Sequence, residues 1–193
     1  IATWIRRTGG APSTSGADPI GHILHLEIDR PEIARAARWY LEPVDYVSMR
    51  FTGEAIATHA SMTAAWLTDN RNLDDLTYDD TLLALAGIHS SKLPPLRPTA
   101  TAIGTVRDDI ADSLGLPHGV QVIAGTPDLH SASIGAGTTL DYQTHMALST
   151  TSWISCPVPF KKTDVVHQIA SIPGTGRRGY LIADNHETSG ACL

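Results

Sequence analysis

The chain changes texture along its length, and that change is the strongest limit on what it can fold into. Its first half repeatedly interrupts short helical patterns with Gly and Pro. From residue 144 it carries three β-rich stretches, THMALSTTSWIS, VVHQIASIP and GYLIADN, with the turn GTGRRG between the last two. Residues 9–21 are rich in Gly, Pro and Ser and read as a loop. Pro31 suits the first turn of a helix, and Ile33, Ala37, Tyr40 and Leu41 then share one helical face before Pro43. Asp45 is placed to cap a second helix, with Val44, Val47 and Phe51 inward and Gly53 beyond its end. A third helix over roughly 78–86 carries Leu82, Leu83 and Leu85 and closes at Gly87, whereas residues 59–71 have no clean period. Pro94, Pro95 and Pro98 stiffen the next linker, residues 107–114 fit an amphipathic helix, and VQVIAG after them fits a buried strand. The later stretches predict a strand meander that starts a mixed sheet, with a helix opening in NHETSGACL (185–193). Gly137 marks the expected domain boundary.

Hydrophobic residues make up 42% and charged residues 18%, enough apolar surface for a sizeable core. The formal charge of −6 argues against a nucleic-acid surface, which needs a concentrated basic footprint. The basic doublets Lys161-Lys162 and Arg177-Arg178 read as solvated hairpin residues. Two cysteines, Cys156 and Cys192, make neither a disulfide framework nor a metal-ligand spacing, so a reducing cytoplasm is the default. No run approaches a membrane span, and no basic-then-apolar leader is visible. The chain opens at Ile1-Ala2-Thr3-Trp4 and ends at Ala191-Cys192-Leu193. Both ends read as cut through structure, as in a piece of a longer protein.

Two arrangements carry chemistry. In AGTPDLHSASIGAG (124–137) a hydrophobic strand runs into a Gly/Pro turn, and Asp128 sits where small residues begin a helix. A carboxylate presented there can accept a proton from an attacking hydroxyl. It can equally cap the helix, and from the local pattern alone the cap is the better reading, because capping aspartates greatly outnumber catalytic ones. In LSTTSWIS (148–155) an apolar strand bends at Ser149, Thr150, Thr151 and Ser152. Hydroxyls and turn amides together can hold phosphate oxygens, although an ordinary Ser/Thr-rich hairpin has the same composition. His22 and His25 have the spacing of a helical metal pair but no third ligand, and read as helix-face histidines. His186-Glu187 lacks the second His of a zincin motif and reads as a helix start. Trp66 and Trp153 read as core or domain-edge aromatics.

Taken in order, these pieces resemble the FGGY family of carbohydrate kinases. PEIARAARWYLEPVDYVSMRFTGE (31–54) is similar to the family's leucine-rich helix followed by P-x-D-Y-x-x-x-R-x-T-G. GLPHGVQVIAGTPDLHSASIGAG (115–137) is similar to its G-L-P-x-G-x-P-V-x-x-G-x-x-D segment. LSTTSWIS, followed by VPFKKTD (158–164) and IASIPG (169–174), resembles a phosphate-loop hairpin, and NHETSGACL the start of the next helix. Ser149 stands where that hairpin usually carries Gly, and Leu129-His130 stand where Gln or Asn often follows the aspartate.

The resemblance implies an α/β, actin-like ATPase (RNase H-like) fold in a partial two-domain chain. Residues 1–137 would be the later part of the sugar-binding domain and residues 138–193 the first strands of the nucleotide-binding domain. It implies an ATP- and Mg²⁺-dependent kinase acting on a small sugar or polyol. Asp128 would be its catalytic base, and Ser149, Thr150 and Thr151 would lie at the ATP phosphates. No protein metal site, nucleic acid or membrane is implied, and a homodimer is compatible. The 193 residues alone are expected to lack activity, since the family's D-x-G-T-x-x-x-R loop is not among them. A non-catalytic sugar-binding or regulatory relative is the alternative reading, and a serine or metal hydrolase ranks last.

Overall fold

The computed structural model describes residues 1–193 apart from 168, 177, 178, 187, 188 and 191–193. Its first half is helical. α1 (Ala2–Thr8) ends at Gly9 with φ 97°, and a loop then leads to α2 (Pro19–Asp29), α3 (Pro31–Ala36) and α4 (Pro43–Thr52). The last three all open on proline, whose missing N–H is not needed in a first turn. α3 is shorter than its sequence pattern. It stops at Ala36, because Ala37 turns extended and Glu42, the residue before Pro43, is held extended as well. Tyr40 is buried outside any helix: its N–H donates to the Lys92 carbonyl at 2.8 Å and its hydroxyl to Glu27 at 2.7 Å. α4 runs to Gly53 as expected, but its inner face is polar. Asp45 and Ser48 are buried while Val47 is 53% exposed, and the N-cap position belongs to Glu42 rather than Asp45.

The chain then forms the short strand β1 (Ala57–Thr58), a 3₁₀ turn (Thr63–Ala65) and α5 (Asp80–Ala86), which closes on Gly87. β2 (Leu96–Arg97) pairs in parallel with β1. Ile20, Ile23, Met62, Leu67, Leu82 and Leu96 form the main core, fed by α2, α5 and the irregular 59–71 segment. β3 (Ala102–Thr105) and β4 (Gln121–Ile123) pair antiparallel around α6 (Asp108–Leu114). β4 is not the buried strand its sequence suggests. It bonds only to β3 among the described strands, and Ile123 is 50% exposed. Ala124, just beyond it, joins Ile56 and Ile103 in a small second core.

After α7 (Asp128–Gly135) the second half is a sheet of β5 (His145–Leu148), β6 (Ser152–Val158), β7 (Ala170–Pro173) and β8 (Tyr180–His186). All its pairings are antiparallel, but the order is β5-β6-β8-β7, so it is not a simple meander. β8 inserts because its seven residues pair along all seven of β6, from Ser152↔His186 to Val158↔Tyr180, while four-residue β7 takes the outer edge. His186 therefore ends a strand rather than starting a helix, and Ser189 and Gly190 bond back to the turn before β6; residues 187, 188 and 191–193 of the expected helix, like Arg177 and Arg178, lie outside the described residues. Lys161 is not a solvated hairpin residue. It is half-buried, its ammonium donates to the Arg6 carbonyl at 3.3 Å, and burial lowers its pKa. Among the described residues no helix is long and apolar enough to cross a membrane.

Candidate active site

Asp128 is placed by a tight approach of two elements. After β4, Gly125 passes so close to α4 that a β-carbon there would lie 2.1 Å from Val44 Cγ2. Thr126 and Pro127 then turn the chain, and Pro127 takes the N-cap position with extended backbone. Asp128 is thus the first helical residue of α7, not its cap. Its Oδ1 accepts the Leu129 N–H at 2.7 Å, which occupies one of the free donors of the first turn and sets a negative charge at the helix's positive end.

The exposed carboxylate of Asp128 stands between two clefts. One, of about 740 Å³, opens toward the sheet and is lined by Ser13, Asp128, Trp153, Asp184, Asn185 and His186 among others. The other, of about 500 Å³, opens toward the helical half and is mainly apolar, with Val44, Ala64, Pro127 and Leu129 in its wall beside Glu42 and Ser61. Leu129 and Ile172, like Asp128, line both. Burial raises the pKa of Glu42, a shift that His22 opposes. Behind Glu42, burial pushes Asp45 up to about 7, with Glu42 adding to the rise and Ser61 opposing it.

Ser149, Thr150 and Thr151 form the turn between β5 and β6, and none of them lines either cleft. The Ser149 N–H donates to the Thr151 carbonyl at 2.9 Å. The Thr150 and Ser149 carbonyls accept from the N–H groups of Ser189 at 3.1 Å and Gly190 at 2.9 Å. Gly190 approaches so closely that a β-carbon would meet the Ser149 carbonyl at 2.4 Å. The three hydroxyls have no hydrogen-bond partner among the described residues. The turn leads into β6, whose second residue, Trp153, lines the Asp128 cleft.

Sequence reasoning missed Asp184 and Asn185. The register Trp153↔Asn185 brings them to the cleft, and no local pattern in GYLIADN announces that pairing. Trp153, read as a core or domain-edge aromatic, lies in the wall of this cleft. His22 and His25 lie on an exposed face of α2, where His25 contacts Asp29 at 2.9 Å. No cluster of three metal-ligating side chains occurs among the described residues. Asp128 and Asp184 line the same cleft, and Asp184 Oδ2 lies 3.4 Å from His186 Nε2.

Several known proteins are similar to this chain in sequence or fold. The chain is 32% identical over 136 residues to a xylulose kinase of Streptomyces coelicolor, which covers 69% of this chain and 26% of that protein. It is 27% identical over 174 residues to an autoinducer-2 kinase of Escherichia coli K12, covering 88% of this chain and 32% of the relative. Among solved structures, a xylulose kinase from Rhodospirillum rubrum superposes with a TM-score of 0.84 at 22% identity, over 98% of this chain and 38% of that one. Plasmodium falciparum glycerol kinase with ADP superposes with a TM-score of 0.76 at 14% identity, again over 38% of its length. The chain therefore spans about a quarter to two fifths of these relatives, and its fold is the actin-like ATPase fold of their kinase family. Residues 10–135 match the N-terminal domain of that family, and the chain belongs to the FGGY family of carbohydrate kinases.

Proposed function

We propose that this chain is part of an ATP-dependent kinase that phosphorylates a hydroxyl of a small sugar or polyol, with Asp128 as general base. The observation that carries the reading is the position of Asp128, exposed at the start of α7 on a wall common to two clefts. The relatives' names, xylulose kinase and autoinducer-2 kinase, support a small hydroxylated substrate. Phosphoryl transfer asks a protein mainly for positioning and charge neutralisation. Asp128 would accept the proton of the substrate hydroxyl as its oxygen attacks the γ-phosphorus. The open hydroxyls of Thr150 and Thr151, with Ser149 and the turn amides, would steady ATP phosphates. Mg²⁺, where bound, would neutralise phosphate charge, with Asp184 and Asp128 as the carboxylates within the same cleft. Residues 1–137 would belong to the sugar-binding domain and residues 138–193 to the nucleotide-binding domain, so the chain supplies part of each. Closure of one on the other would exclude water and limit idle ATP hydrolysis.

Replacing Asp128 with Asn in the complete protein tests the base. Asn keeps the shape and can still accept the Leu129 N–H, so melting temperature should hold. Turnover should fall by roughly 10²–10⁴-fold, the usual contribution of a general base, with a smaller change in KM for the sugar. A folded Asn variant with wild-type turnover would remove Asp128 from the mechanism. The hydroxyl turn's separation from the cleft favours a second reading, a sugar-binding relative without turnover. That reading predicts sugar binding with no sugar-dependent ADP release from the complete wild-type protein.

A further inference from the structure

Among the described residues, one side chain hydrogen-bonds the helix that carries Asp128 to the sheet. His130, two residues after Asp128, is 1% exposed, and its Nε2 lies 2.7 Å from the Pro173 carbonyl at the end of β7. A carbonyl only accepts, so Nε2 carries the proton and donates. The other nitrogen, Nδ1, is then a bare acceptor, and it is buried without a partner. Burial holds the ring below the usual histidine pKa, opposed by the Pro173 carbonyl and the nearby Asp128 charge. A neutral Nε2–H tautomer meets all of these conditions.

Among the described residues, no other side chain of α7 hydrogen-bonds to the sheet; Ser131 and Ser133 bond within their own neighbourhood, to Thr126 and Thr138. The strand that accepts this bond also lines the Asp128 cleft, through Ala170 and Ile172. We infer that His130 is a positioning residue: by donating Nε2–H to the Pro173 carbonyl it fixes the first turn of α7 against β7 and so aims Asp128 across the cleft. The inference rests on the reading of Asp128 as the base. The bond spans the two halves of the chain, so any motion that parts α7 from β7 breaks it and releases the aim of the carboxylate. Side chain and backbone meet here at a fixed tautomer, a geometry that simple core filling does not require.

The test uses the complete protein and three variants. His130→Leu fills similar space with no donor and also removes the unpartnered Nδ1. His130→Gln restores an N–H donor at about the reach of Nε2. The expected result is a folded Leu variant with kcat lowered roughly 10–100-fold, the scale of a small misplacement of a reacting group. Its sugar KM should change less, and Gln should recover most of the turnover. A purely structural role would lower melting temperature in both variants and leave kcat alone. A folded Leu variant with unchanged kcat, or a Gln variant as impaired as Leu, overturns the inference. Should the Leu variant not fold, ¹⁵N-histidine NMR of the wild-type protein decides. An Nε2–H tautomer with slowed proton exchange and no titration near neutral pH is expected, and an Nδ1–H or freely titrating ring overturns it. Asp128→Asn, the third variant, separates the two claims. Full turnover in that variant defeats the base reading, while loss there beside a fully active His130→Leu defeats only the positioning role.

Discussion

Asp45 is 2% exposed, and its Oδ2 has no hydrogen-bond partner. A buried charge without full compensation is costly, so the protonated form is favoured and the pKa climbs from 3.8 to about 7. Ser61 stabilises its anion, the Glu42 charge opposes it, and the Asp45 charge in turn raises the pKa of Tyr78. The folded state thus holds a proton that the unfolded state releases near 3.8. Stability from this carboxyl is complete below that value and is lost as pH rises toward 7, by up to about 1.4 kcal/mol per pH unit. The melting temperature should therefore fall between pH 5 and 7 and then level. Asp45→Asn, neutral throughout and nearly the same shape, should flatten that slope and melt higher than wild type at pH 8. Parallel melting profiles for the two proteins across pH 5–8 would show that Asp45 is ionised in the fold. The sequence suggested Asp45 as a helix cap, whereas the N-cap position belongs to Glu42 and Asp45 is buried inside α4. Its burial depends on Ser61 and Tyr78, which no local pattern brings near.

At the scale of elements, α5 shows what sequence punctuation can fix. Asp79 is its N-cap, with Oδ1 accepting the Leu82 N–H at 2.9 Å, while its second oxygen pairs with Arg7 of α1. One carboxylate therefore caps a helix and joins it to the first helix of the chain. Asp79→Ala should cost about 1–2 kcal/mol for the cap, and more in total because Arg7 is left beside an emptied, mostly buried site. Denaturant unfolding of Asp79→Ala and Arg7→Met would check this, the Arg7 variant losing the pair but keeping the cap. Equal stability of Asp79→Ala and wild type would refute it. The ends of α4, α5 and α6 were legible because Gly53, Gly87 and Gly115 all take the left-handed conformation that glycine allows. The inner face of α4 was not, since Asp45 and Ser48 are buried, Asp45 beside Ser61, while Val47 is left exposed. Strand existence was legible from β-rich runs, but strand order was not. The choice of β8 rather than β7 as partner of β6 depends on matched length and on an edge that a one-dimensional pattern does not encode. The candidate site was legible at Asp128 through the order of four motifs, and illegible at Asp184 for the same reason as the strand order.

Across the whole molecule, the two halves meet largely through side chains and amides that bond to backbone carbonyls. Thr163 Oγ1 donates to the Gly9 carbonyl at 2.9 Å, and the Ser171 N–H reaches the same oxygen at 3.4 Å. The Tyr180 hydroxyl donates to the Asn70 carbonyl at 2.9 Å, beside the contacts of Lys161 with Arg6 and His130 with Pro173. Gly9 is the tightest point of this junction. Its φ of 97° ends α1, and a β-carbon on it would stand 1.9 Å from the Ser171 carbonyl oxygen. Gly53 ends α4 with a similar φ of 86°, but a β-carbon there would meet only Arg107 Cδ at an ordinary 3.6 Å. The pair therefore separates backbone strain from the junction contact. Gly53→Ala should lose about 1–2 kcal/mol, the left-handed penalty for a residue with a β-carbon. Gly9→Ala carries the same penalty and must also displace the Ser171 carbonyl, so it should be clearly less stable than Gly53→Ala in denaturant unfolding. Its effect should extend to function, because Ser171 lies between Ala170 and Ile172, both in the wall of the Asp128 cleft. In the complete protein, well below the melting temperature, Gly9→Ala should lower sugar-dependent turnover while Gly53→Ala leaves it near wild type. Equal destabilisation with equal turnover in the two variants would mean that the Gly9 contact yields without cost and does not set the cleft.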